Sequence, residues 1–219
     1  IRFTRRRLAR FLMKRVPSLN YERVVALEAR VRRSEVKRQY RDCMSKEYAS
    51  IAACLPQRCR GILDIGCGIA GIDVHLDAHY EGGAPHFFLL DRSHVEERVY
   101  YMFEPRGAFY NSLELSRQVL VANGVEESRV TLLEATETND IAVDAAVDLV
   151  LSLRSWGFHY PVGTYLDRVY ELLAEGGCLI LDVRKGTNGF DRLKDRFGTF
   201  VTLLEKRNHA RICARKAAT

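Results

Sequence analysis

Residues 61–76 read "GILDIGCGIAGIDVHL". A short apolar run carries Asp64 near its end, Gly66, Gly68 and Gly71 follow with G-x-G-x-x-G spacing, and a helical period begins behind them. Glycines at this spacing also occur in turns that bind nothing, so the surrounding residues decide what the turn is for. From Arg60 onward, short apolar runs alternate with helical periods, which predicts an α/β sheet that is mostly parallel. Strands are expected at residues 61–65, 86–90, 130–134, 147–152, 178–183, 199–206 and 209–216. Only Arg207 and Asn208 separate the last two, so this pair must form an antiparallel hairpin. Helices are expected on both faces of this seven-stranded sheet.

Asp64 places a carboxylate at the mouth of the glycine turn. A pyrophosphate would meet its negative charge, whereas a ligand with a cationic amino group would be favoured. That ligand's own carboxylate can use the N–H groups of the following helix start. The second strand runs into Asp91, where an acidic side chain accepts hydrogen bonds from two ribose hydroxyls. NAD fits Asp91 equally well. Asp64 and the closing hairpin favour S-adenosylmethionine, which has the amine and the carboxylate and no phosphate.

These residues resemble the class I S-adenosylmethionine-dependent methyltransferases. "LDIGCGIAG" is similar to their glycine-rich motif, "LLD" to their ribose motif, and "GGCLIL" to the approach to their fifth strand. The resemblance spans residues 58–219 and implies a Rossmann-like domain with S-adenosyl-L-methionine as cofactor. It implies cofactor contacts from Asp64, Gly66, Gly68, Asp91 and Ser152, with Gly71 substituting for a family glycine where Ala70 stands. The stretch "EAT" is implied to lie beside the adenine, making Glu134, Ala135 and Thr136 candidates.

The acceptor is expected at the carboxyl ends of strands four and five, since ligands of open α/β sheets bind there. Strand four leads into "SLRSWGFHYPVGTYL". A hydroxyl acceptor must lose its proton, and His159 is the candidate base, with His94 second. Trp156, Phe158 and Tyr160 suit an aromatic wall. Tyr100 and Tyr101, in the long connection after Asp91, suit a lid over the acceptor. Arg154 and Arg106 suit a phosphate or carboxylate on the substrate, or a surface acid. The segment lacks a [DNS]-P-P-[YFW] run, a Pro-Cys or Thr-Cys nucleophile, and the Asp pair of the magnesium-dependent catechol type. It is therefore read as metal-independent O-methylation of a small-molecule or sugar/glycan hydroxyl.

Residues 1–60 carry 17 Lys+Arg against 5 Asp+Glu, while the remainder carries 17 against 23. Residues 1–57 are read as a basic helical extension. Its first helix places Leu8, Phe11 and Leu12 on one side among arginines, which suits an anionic membrane surface, nucleic-acid phosphate, or packing on the body. Further helices are expected from about Tyr21 toward Val36 and over 45–55. An RNA methyltransferase using the basic segment, and a non-catalytic cofactor-binding module, are the other function classes kept. Six cysteines without a C-x-x-C pair indicate neither a zinc site nor a disulfide framework, and the expected location is the cytoplasm, at a membrane surface where the basic helix engages one. Ile1 in place of Met leaves room for residues upstream.

Overall fold

The computed structural model describes Arg15, Val24, Leu27, residues 30–95 and residues 110–217, without the side chains of residues 94, 95, 110 and 111. The chain divides into two units, Ile1–Lys46 with Glu97–Ala108, and Glu47–Glu96 with Phe109–Thr219. The described part of the first unit is helical, with Arg32 held to Glu35 at 2.7 Å.

Helix α1 covers Arg33–Ala49 and runs unbroken across the gap between the two helices expected there. Nothing in "RSEVKRQYRDCMSKEYA" breaks a helix, as it has neither proline nor glycine. A single 3-10 turn, Ala52–Cys54, follows it.

The second unit is built on a sheet of seven strands. In chain order its elements are β1 (Gly61–Ile65), α2 (Gly71–His79), β2 (His86–Asp91), the two-residue strands β3 (His94–Val95) and β4 (Tyr110–Asn111), α3 (Leu113–Ala122) and β5 (Val130–Glu134). They continue with β6 (Val147–Ser152), β7 (Ser155–Tyr160), α4 (Leu166–Leu172), β8 (Leu173–Arg184), α5 (Gly189–Phe197), β9 (Phe200–Glu205) and β10 (His209–Arg215). The sheet order is β5-β2-β1-β6-β8-β10-β9. The first five run parallel, and β10 is antiparallel to both neighbours. The chain thus folds as the expected seven-stranded α/β sheet with a closing hairpin, and the last strand inserts between β8 and β9.

Alternation along the strands feeds two cores. Leu63, Ile65 and Val150 face α4 and α5 through Val169, Leu172 and Leu193. Ile62, Phe87, Leu89 and Leu149 face α2 and α3 through Ile72, Leu76, Leu113 and Leu120. Ile51 and Leu55 join the second core, so the body takes in residues 47–57 ahead of the expected boundary. Arg211 on β10 holds that lead-in. Wholly buried, it makes a two-pronged contact with Asp182 on β8 at 2.7 and 2.8 Å, and it reaches Glu47 at 2.8 Å and the Ser50 hydroxyl at 2.6 Å.

β8 begins five residues before its expected start. Val147 pairs with Leu173, and the register then slips so that Leu149 pairs with Cys178. The intervening "AEGG" bulges out, with Gly176 at φ +74.

Candidate active site

A pocket opens at the carboxyl ends of β1, β2 and β5, lined among others by Gly66, Asp91, Ala135, Thr136, Ser155 and Tyr160. The glycine turn meets it at Gly66. Gly66 has φ +79, and a Cβ there would lie 2.1 Å from the Ser155 hydroxyl oxygen. Gly68 has φ +58 and, among the described residues, open space where its Cβ would point. The third left-handed position is Ala70 at φ +54, not Gly71, which opens α2. The conformational role expected of Gly71 therefore falls on Ala70. An alanine tolerates this region at a modest cost that the surrounding turn imposes.

α2 starts without a side-chain cap, which leaves first-turn N–H groups available to an anion or carboxylate. Asp91 is tied into the turn. Its carboxylate accepts the Gly68 N–H at 2.8 Å and the Arg92 N–H at 2.7 Å. Asp64 lies behind the turn, almost wholly buried. Burial, the facing Asp73 and then Asp91 push its carboxyl well above the usual range.

Beyond β5 the structure divides the expected adenine stretch. Ala135 and Thr136 line the pocket, whereas the Glu134 carboxylate accepts the Ser93 N–H at 2.6 Å and does not line it. Asn139, at φ +59, and Glu137 line the same wall, and the Tyr165 hydroxyl donates to Asn139 Oδ1 at 3.3 Å. The "ND" dipeptide at 139–140 was a readable turn signal. Arg92 and Tyr165 carry no local mark of their positions at the pocket.

Ser152, expected as a cofactor contact, and the acceptor-side residues are less gathered, and Ser152 is not among the pocket residues. Ser152, wholly buried, donates its hydroxyl to the Ile65 carbonyl at 2.7 Å and accepts the Trp156 N–H at 3.0 Å, locking the ends of β1 and β6 together. Trp156 belongs to the core and lines the pocket from there. It is wholly buried and donates its indole N–H to the Val162 carbonyl at 2.9 Å. Tyr160 lines the pocket and is 41% exposed.

His159 is also exposed. It stands edge-on to Phe158 and is not among the pocket residues. Burial and then the Arg184 charge lower its pKa below the ordinary 6.5. Arg154 is exposed at φ +64. Tyr100, Tyr101 and Arg106 lie outside the described residues, as do the side chain of His94 and the first basic helix.

The sheet order and the glycine turn define the fold of the class I S-adenosylmethionine-dependent methyltransferases. In that fold the chain is similar to the T. thermophilus 16S rRNA N2 G1207 methyltransferase in complex with AdoMet and guanosine. The match has a TM-score of 0.51 and 16% identity, over 73% of this chain and 38% of that one. It is likewise similar to a precorrin-6y C5,15-methyltransferase from Geobacter metallireducens, with a TM-score of 0.51 and 18% identity over 78% of this chain and 86% of that one. Magnesium protoporphyrin IX methyltransferase from Synechocystis, with bound SAM, gives a TM-score of 0.51 and 16% identity over 84% and 83%. At these identities the likeness is one of fold. The chain spans well under half the length of the T. thermophilus enzyme. No protein-family model and no curated protein sequence matches it.

Proposed function

We propose that the protein is an S-adenosylmethionine-dependent methyltransferase that methylates a hydroxyl of a small molecule or sugar-containing glycan. The observation that carries the cofactor is the charge at the glycine turn. Asp91 lines the pocket and Asp64 and Asp73 stand behind it, which opposes a pyrophosphate and suits a ligand bearing an ammonium and a sulfonium. The open space over Gly68 leaves room for that ligand's backbone, the uncapped start of α2 suits its carboxylate, and Asp91 suits its ribose. When bound, the cofactor supplies an electrophilic methyl group.

The chain's own contribution is to hold the acceptor in line and dry, and to take its proton. His159 is proposed for the proton. Its lowered pKa keeps it neutral, hence able to accept, at pH 7. It stands on β7, which leaves the end of β6 at the acceptor side.

A second reading, methylation of RNA, is favoured by the excess of Lys and Arg in residues 1–60. Incubation with radiolabelled S-adenosylmethionine and separated cell fractions tests both. Label in polar metabolites or glycans supports the first, label in RNA replaces it with the second, and calorimetric binding without transfer to any fraction leaves a non-catalytic module.

A further inference from the structure

Asp73 is a buried carboxylate for which the cofactor contacts above assign no role. It sits in the first turn of α2, is 0% exposed, and no N–H or O–H of another described residue donates to either of its oxygens. The group facing it, within hydrogen-bonding reach, is the carboxyl of Asp64, itself 3% exposed at the end of β1. Asp91 from β2 bears on Asp64, and the Cys67 thiol of the turn stands by all three carboxylates. Ser116 of α3 donates its hydroxyl to the Gly68 carbonyl, so it does not relieve the pair. No cationic side chain among the described residues acts on either carboxyl.

Two ionised carboxylates in contact and out of water repel one another, and both lose hydration. One proton between them removes both penalties, because the protonated oxygen then donates to its partner. The site that needs a cation nearby is the glycine turn that follows Asp64 directly.

We propose that Asp64 and Asp73 share one proton when the glycine turn holds no ligand, and release it when the ammonium of the amino-acid end of the cofactor docks there. Cofactor binding is then an exchange of a proton for a cation, and Asp73 is the positioning residue that makes it so. This rests on the cofactor reading above. Burial raises the carboxyl of Asp73 to about 7 and burial with the facing Asp73 pushes that of Asp64 well above its ordinary range, so the pair still holds a proton at neutral pH. The start of α2 favours a negative charge on Asp73, which keeps the ionised pair within reach once a cation is present. The device also selects its ligand. A nucleoside lacking the ammonium gives the pair no reason to ionise.

The test is calorimetry of S-adenosylhomocysteine binding at about pH 7.5 in buffers of different ionisation enthalpy. The wild type should release about one proton per ligand bound, and its affinity should rise roughly tenfold per pH unit until it levels off above the titration range of the pair. 5′-Methylthioadenosine, without the ammonium, should bind with no proton release. Asp73→Asn keeps the shape and donates to Asp64, so it should bind S-adenosylhomocysteine with proton release near zero and a flat pH profile. Binding by the wild type without proton release overturns the proposal and leaves the cofactor reading standing. Absence of any S-adenosylhomocysteine binding overturns both.

Thermal unfolding gives a ligand-free readout. A carboxyl raised in the folded state stabilises fully below its unfolded pKa of about 4, and that contribution is lost as pH rises through the folded value. The wild-type midpoint should therefore fall between pH 4 and the neutral range relative to Asp73→Asn or Asp64→Asn. Parallel profiles overturn the shared proton.

Discussion

The two halves of the sheet's carboxyl edge are built to different tolerances. Around β1, β2 and β5 the backbone does the work. Three left-handed residues, Gly66, Gly68 and Ala70, fall within five positions, and the turn is fastened by the Asp91 carboxylate and the Ser116 hydroxyl. Around β6 and β7, Ser152 and Trp156 are locked into the core, while Arg154, His159 and Tyr160 stand exposed beyond them. A shared cofactor calls for fixed geometry on one side. An acceptor-specific side is free to vary on a rigid base, which is where functional loops generally sit.

The sharpest break of this contrast is Gly66→Val. The branched side chain must enter the space of Ser155 at a positive φ, so it should cost roughly 3 kcal/mol or more of stability and abolish S-adenosylhomocysteine binding. Retained binding by calorimetry would show the turn to be as tolerant as the other half. His159→Ala should lower the maximal rate about a hundredfold with cofactor affinity near normal. In the wild type the rate should rise with pH through an apparent pKa below 6.5, because burial and Arg184 favour the neutral ring, and then level off. Near-full activity in the mutant on the same substrate would leave positioning alone as the mechanism.

Asp91→Ala is expected to weaken cofactor binding by about 1.5–3 kcal/mol, the scale for a charged acceptor. It also strips the Gly68 N–H of its partner, so calorimetry and thermal unfolding should shift together. Ser152→Ala leaves a buried carbonyl and a buried N–H unpaired, and should cost about 1–3 kcal/mol in denaturant unfolding, with the contrast lost if that cost is near zero. Deleting residues 1–16 should change cofactor affinity least. A large loss there would make that segment part of the cofactor site.

Much of the fold was legible because strand and turn signals are local. "GILDI" and "HFFLL" announce buried parallel strands by their apolar runs, and the two residues between β9 and β10 admit only a hairpin. The site was legible where the chain carries its chemistry in one stretch. Gly66, Gly68 and Asp91 were read from the residues, Ala135 and Thr136 were implied by the family resemblance, and they gather at one pocket or its turn. How deeply Trp156 sits was not legible, because an aromatic beside a strand end reads alike whether it faces solvent or core. Its burial depends on the Val162 carbonyl arriving from the following turn. Asp73 carried a faint signal, since it lies beside Ile72 and three residues before Leu76 on the buried side of α2.

What the sequence determined by itself is therefore the set of elements, the left-handed turn after β1 and the carboxylates beside it, all fixed by steric and charge rules that act over a few residues. Tertiary structure alone decided that β10 enters between β8 and β9, that Ala70 takes the left-handed position, and that Asp64 meets Asp73 out of water. Each depends on surfaces brought together from distant parts of the chain or on a turn held from outside, and periodicity along the sequence carries no record of either.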